Sequence, residues 1–168
     1  DKQNTYRTTR TLEADLQKLY DTLTEIGAYR LAAHDVLPVL RIVQTFGFHL
    51  ATLDIRQNST FHDNALAQLL RASGVTDTDV AQWDEARRMQ LLDHELGMPR
   101  PFTLPDSDLG DEARAVLDCY RVVSDHIKHH GTAGVGSLIV SMTRDVSDLL
   151  TVYILAREAG LVINTPDG

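Results

Sequence analysis

The sequence predicts a mostly helical α/β chain that forms part of a (β/α) barrel. Three observations carry that expectation. The runs at residues 48–56 and 137–142 have no helical stripe and hold apolar residues on both faces, as strands covered by helices do. Each run is followed by a segment whose apolar residues recur with helical period, so a strand–turn–helix unit occurs twice. A third apolar run, Leu161-Val162-Ile163, reads as the opening of another strand.

In chain order, Leu12, Leu16, Leu19, Leu23 and Ile26 alternate in four- and three-residue steps, which predicts a packing helix that stops at Gly27. Two heptads are too few for a coiled coil. A second helix is expected from about Asp35, with Pro38 tolerated in its first turn and Gly47 as its end. The first strand follows, then Ser59 as a cap for a helix whose buried stripe is Ala65, Leu66, Leu69 and Leu70 and which Gly74 closes. Helices are expected at about 79–96 and 108–129, the second carrying Leu109, Ala113, Val116, Leu117, Tyr120, Val123 and Ile127. Pro99, Pro101 and Pro105 forbid regular structure between them. Gly131, Gly134 and Gly136 introduce the second strand, and Asp145 with Asp148 marks a helix start in which acids face the dipole. The organisation is thus a helical lead-in (1–47), a strand–helix unit (48–73), a helical insertion (76–131) and a second strand–helix unit (136–168).

The chain has 168 residues, enough to bury roughly 70% of its unfolded surface around one core. With 16 Lys and Arg against 24 Asp and Glu it carries a net charge of -8, which argues against nucleic acid or an anionic membrane as partner. No apolar run is long enough to span a bilayer, and the first residues have no secretory signal pattern. The single Cys119 excludes an internal disulfide and multi-cysteine metal sites, in keeping with a cytoplasmic setting. The chain starts without Met and stops just after the third apolar run, as an excised piece of something longer would.

The richest segment for chemistry is Asp54-Ile55-Arg56-Gln57-Asn58-Ser59, where a strand ends and its helix begins. Asp54 and Arg56 point to one face of the strand, so Arg56 can present its planar fork to a phosphate or carboxylate while Asp54 orients it. The same spacing equally suits an internal ion pair that only fixes the rim. His126, His129 and His130 end a helix and read as a solvated face rather than a metal site, since cations favour helix C-termini. His49 is expected in the core; His62 is either a core histidine or a support for the Arg56 segment. Residues 131–136 precede a strand and lack a Gly-Lys-Ser/Thr ending, which rejects a nucleotide loop. Cys119 lies in an apolar stripe and reads as a buried small hydrophobe, and Trp83 as a packing anchor.

Phe46-Gly47-Phe48-His49-Leu50-Ala51-Thr52-Leu53-Asp54-Ile55-Arg56-Gln57-Asn58-Ser59 resembles the phosphoenolpyruvate carboxylase family. The resemblance extends over essentially the whole chain, through Trp83-Asp84-Glu85-Ala86-Arg87, Pro99-Arg100-Pro101, Leu138-Ile139-Val140-Ser141-Met142 and Ser147-Asp148-Leu149-Leu150 to Arg157-Glu158-Ala159-Gly160. It implies an eight-stranded TIM-type barrel embellished with helices, in a cytoplasmic homotetramer that needs magnesium or manganese. It further implies that phosphoenolpyruvate and bicarbonate give oxaloacetate and phosphate through carboxyphosphate and the enolate of pyruvate. The family arginine matched by Arg56 is assigned to the phosphate, with Asp54, Gln57 and Ser59 as its support. No metal ligand is expected within this chain, because the family's catalytic histidine lies N-terminal to the matched region and its metal-binding acids and mobile loop lie C-terminal. The isolated chain is therefore expected to be inactive. Asn58, Phe61 and Val146 depart from the family's usual Glu, Arg and Pro. A non-catalytic scaffold or regulatory paralogue with the same barrel pattern, and a different phosphoenolpyruvate- or phosphate-using barrel enzyme, are the alternatives.

Overall fold

The computed structural model describes residues 5–98, 100–101, 103–104 and 107–161. Its contacts divide into two compact units, Asp1–Leu53 and Asp54–Gly168. The element order is α1 (Thr9–Glu25), α2 (Tyr29–Leu31), a π-helical turn (Ala32–Val36), α3 (Leu37–Phe46), β1 (Leu53–Asn58), α4 (Ser59–Ala72), a 3-10 turn (Val80–Gln82), α5 (Glu85–Leu96), α6 (Asp111–His130), β2 (Val135–Ser141) and α7 (Val146–Glu158). Among the described residues β1 and β2 pair as one two-stranded parallel sheet, so a mostly helical α/β chain is present and a closed barrel is not seen.

The first unit is a helical hairpin. Thr8 caps α1, its hydroxyl accepting from the Thr11 amide at 3.4 Å, and α1 packs on the π turn and α3. Ala32, Val36, Leu40 and Val43 are its buried residues, one per turn along the facing helix. The expected α1 stripe is only partly covered: Leu12, Leu16 and Leu23 are half-buried, whereas Leu19 and Ile26 are exposed. Helix begins at Tyr29 rather than near Asp35, and the extra residue of the π turn brings Ala32 and Val36 onto the buried face together.

In the second unit α4 is the central element, touching α6, α7 and the 3-10 turn. One side of it joins Ala65 and Leu69 to Val116, Leu117, Tyr120 and Leu155; the other joins Leu66 and Leu70 to Val80, Leu92 and Ile154. Leu69 and Leu70 have no exposed surface, and truncating either to Ala is worth about 2–5 kcal/mol of stability. Ile55 of β1 and Leu138 of β2 pack against the first of these clusters.

Several local expectations are corrected. Phe48–Ala51 is turn, not strand: Gly47 and Leu50 both have positive φ (56° and 62°), and the Leu50 amide donates back to Phe46 O. Phe48 and Leu50 are exposed, as is His49, whose ring lies against Gly47 where a Cβ would come within 2.9 Å of it. The strands are not apolar on both faces; Ile55 and Gln57 turn inward while Asp54 and Arg56 stay open. Asn58, not Ser59, caps α4, its side-chain oxygen accepting from the Phe61 amide at 2.8 Å. The helix expected at 79–96 is a 3-10 turn followed by α5 with Asp84 as cap, because Trp83 is extended between them. Cys119 is exposed, one position off the buried Val116–Leu117–Tyr120 stripe. Val162 and Ile163, like Pro99 and Pro105, lie outside the described residues.

Candidate functional site

The C-terminal end of β1 carries the residues singled out by sequence. Asp54 Oδ1 accepts from the Ser137 amide of β2 at 3.0 Å, while its Oδ2 lies 3.5 Å from Arg56 Nη2. The Arg56 side chain is 74% exposed, so this ion pair is worth no more than about 1 kcal/mol and leaves the guanidinium fork open to a ligand. Asp54 thus bonds across to β2 and also lies beside Arg56. Gln57 and Ser59 do not reach the guanidinium. Gln57 Oε1 accepts from the Asn58 amide at 2.9 Å, and the buried Ser59 hydroxyl donates to Met142 O at 2.8 Å. They hold backbone, Gln57 at the strand end and Ser59 across to the turn that follows β2.

Directly behind this rim lies a buried charge cluster that sequence reasoning missed. Arg88 donates to Asp63 through Nη1 (3.1 Å) and Nη2 (2.6 Å), to Asp148 at 2.9 Å, and through Nε to the Ser147 hydroxyl at 2.8 Å. Arg144 spans the same two carboxylates, at 2.6 Å to Asp63 and 2.7 Å to Asp148, and its own amide donates to Asp148 at 2.8 Å. Glu85 accepts from the Ser147 amide at 3.0 Å and from its hydroxyl at 2.5 Å. Asp63, Arg88 and Asp148 are each at most 5% exposed. Burial is the largest influence on Asp148 and would raise its pKa, but the hydrogen bonds from Arg144 and the charges of Arg144 and Arg88 together bring it below the usual carboxylate value. The hydrogen bonds to Asp148 and Asp63 raise the Arg144 pKa further, so it stays charged. A signal was present in the sequence: Asp63 is in phase with Leu66 and Leu70, and Arg88 with Leu91 and Leu92.

A family model, phosphoenolpyruvate carboxylase, matches residues 1–167. The chain belongs to the phosphoenolpyruvate carboxylase family. It is 45% identical over 148 residues to the phosphoenolpyruvate carboxylase of Rhodothermus marinus, a match that covers 88% of this chain and 16% of that protein. It is 39% identical over 157 residues to that of Aromatoleum aromaticum, and 40% identical over 158 residues to that of Mycolicibacterium paratuberculosis, each match covering 94% of the chain and 17% of the relative. The chain therefore spans about one sixth of the length of these phosphoenolpyruvate carboxylases.

Within this phosphoenolpyruvate carboxylase segment a small cleft of about 90 Å³ adjoins Arg56, lined also by Gln57, Phe61, His62, Cys119 and Tyr120. Its size is far below the few hundred Å³ of a typical ligand site, so it does not by itself enclose a ligand. His62 is almost fully buried, with Nε2 3.5 Å from the Tyr120 hydroxyl and Nδ1 without a partner. Burial pushes the His62 pKa down and the Tyr120 pKa up. The divalent metal implied by the family has no fitting site here: no group of three or more His, Cys, Asp or Glu among the described residues could hold one. His126 Nε2 donates to Ala133 O at 3.0 Å and His129 Nδ1 to Asp125 O at 2.7 Å, which engages that histidine cluster with backbone. No helix among the described residues is long and apolar enough to cross a membrane.

Proposed function

We propose that the enzyme of which this chain is a part converts phosphoenolpyruvate and bicarbonate to oxaloacetate and phosphate, and that Arg56 grips the phosphoryl group. The carrying observation is the open guanidinium at the end of β1, steadied on one side by Asp54 in the family-matched Leu-Asp-Ile-Arg-Gln run. Attack of bicarbonate on the phosphate yields carboxyphosphate and the pyruvate enolate; carbon dioxide released from carboxyphosphate is captured by the enolate. Phosphoryl transfer depends on positioning and on stabilising charge at the equatorial oxygens, and a bidentate arginine supplies both. The magnesium or manganese, the general base and the remaining phosphate contacts belong to other parts of the enzyme. A cytoplasmic homotetramer built on an eight-stranded barrel completes this reading. In it, the open face of β1 and β2 is one wall of the site.

The test is bicarbonate-dependent phosphate release from phosphoenolpyruvate by the full-length enzyme, with oxaloacetate trapped as product. Arg56→Ala is expected to lower kcat/KM by at least about a hundredfold while thermal unfolding is unchanged, and the 168-residue chain alone is expected to form no oxaloacetate. Phosphate without oxaloacetate would point to a different phosphoenolpyruvate-using enzyme, and a folded but silent full-length protein to a non-catalytic scaffold. Wild-type activity in Arg56→Ala would remove this residue from the reaction.

A further inference from the structure

The first turns of α4, α5 and α7 converge on the turn that leaves β2. Ser59 and Asp63 come from α4, Glu85 and Arg88 from α5, Ser147 and Asp148 from α7, and Arg144 from the turn itself. Four charged groups alternate in a closed ring, Arg88 to Asp63 to Arg144 to Asp148 and back, every link 3.1 Å or shorter. The turn held by this ring is strained: Met142 is a non-glycine residue at φ 57°, a conformation that persists where its surroundings determine it. Its carbonyl is the acceptor of the Ser59 hydroxyl, and Ser59 is three residues beyond Arg56. A continuous set of bonds thus runs from the ring, through the strained turn and Ser59, to the strand end that bears Arg56.

We infer that the Arg144–Asp63–Arg88–Asp148 ring is a positioning clamp that holds the β1 and β2 strand ends in the arrangement in which Arg56 meets the substrate phosphate. The inference rests on the functional reading above and deepens it. Three features separate a clamp from an ordinary core ion pair. Arg88 alone already reaches both buried carboxylates, and leaves the second Asp148 oxygen to Arg144. Arg144, 48% exposed in its side chain, adds a second bridge over the same pair, and it is the residue that carries the rim turn. Its amide and its guanidinium both close on Asp148, which fixes the turn backbone as well as the side chain.

If Arg144 is removed, the buried Arg88 pair persists and the fold is retained, but the strained turn samples other conformations. Substrate then binds only the fraction of molecules in which the rim is set, so its apparent dissociation constant rises by the inverse of that fraction. Once substrate is bound the rim is set, and the chemical step is unchanged. The signature is therefore a rise in KM at constant kcat.

The experiment uses the full-length enzyme with wild type, Arg144→Ala, Arg144→Lys and, as an exposed control outside the ring, Arg87→Ala. Arg144→Ala is expected to raise KM for phosphoenolpyruvate about five- to tenfold, with kcat within about twofold of wild type. Arg144→Lys is expected to recover part of the loss, since an ammonium restores charge between Asp63 and Asp148 without the two-pronged bridge. Arg87→Ala is expected to behave as wild type. Deuterium uptake by residues 142–148 is read in parallel and is expected to rise in Arg144→Ala while α4 and α7 keep their protection. An unchanged KM in an active enzyme, or a fall in kcat alone, overturns the clamp; so does unchanged uptake, whether or not the enzyme turns over. An inactive wild type defeats the functional reading instead, and is recognised as such because uptake still reports on the turn.

Discussion

Arg56 and His62 lie six residues apart and meet opposite environments, one open and one sealed. Exposure leaves the Arg56 fork free for a ligand at little cost in its weak pairing with Asp54. His62 is buried 3.5 Å from the Tyr120 hydroxyl with one ring nitrogen unpartnered, so the fold holds it neutral and its pKa below the ordinary 6.5. The unfolded chain then takes up the proton first as pH falls. Its contribution to stability is fully present above about pH 6.5 and is lost as pH drops from there through the folded-state value, at no more than about 1.4 kcal/mol per pH unit. Urea unfolding of the chain at pH 7.5 and 5.5 is expected to show this loss in wild type and a smaller one in His62→Gln. Equal losses in both proteins would assign the acid sensitivity elsewhere. Arg56 was legible in the sequence because a strand-end arginine two residues from an aspartate is a local pattern. The Arg88 cluster was legible only as a helical phase, because its partners Asp63, Ser147 and Asp148 are 25, 59 and 60 residues from it and each carboxylate alone resembles one more solvated helix residue.

At the scale of elements, the junction of α4 with α6 shows how a helix start is completed from outside. The α6 N-cap is Gly110, which has no side chain to offer, and the free amide of Ala113 instead donates to Gln68 Oε1 of α4 at 2.9 Å, while Gln68 Nε2 donates to Glu112. The Glu112 carboxyl is held below its usual pKa, chiefly by that bond from Gln68. A Cβ on residue 110 would overlap the Gln68 amide, so a side chain there displaces Gln68 from its bonds to α6. Gly110→Ala and Gln68→Ala should each remove about 1 kcal/mol, the worth of one helix cap. Because both destroy the same bond, the double variant should lose about as much as either single one; strict additivity in thermal unfolding would show that Gln68 is not the cap. Periodicity revealed α1, α4 and α6, whose stripes are long, and the two strand–helix units. It misplaced the start of β1, because Phe48 and Leu50 supply apolar side chains to a turn set by Gly47, and it misread the α6 start, where the cap comes from 45 residues away.

At the scale of the whole molecule, the second unit pairs a well-packed helical layer with a sheet of only two strands. Ile55 and Leu138 face the helices, whereas Asp54, Arg56, Ser137, Ile139 and Ser141 lie on the face that no described residue of that unit covers. A two-stranded sheet has an unpaired edge on each side, and such edges template pairing with another chain unless covered or blunted. In a barrel, neighbouring strands would take both edges and the open face would line the interior, which is the arrangement the proposed function requires. The 168-residue chain by itself is therefore expected to self-associate through β1 and β2. Sedimentation over rising concentration should show reversible association, and Ile139→Lys, a charge on a position already 39% exposed, should weaken it at least about tenfold while leaving the helical core intact. Association that persists unchanged in Ile139→Lys would place the contact on another surface. A strictly monomeric chain would mean that these edges are protected without neighbours, and it would remove the open sheet as physical support for a barrel around Arg56.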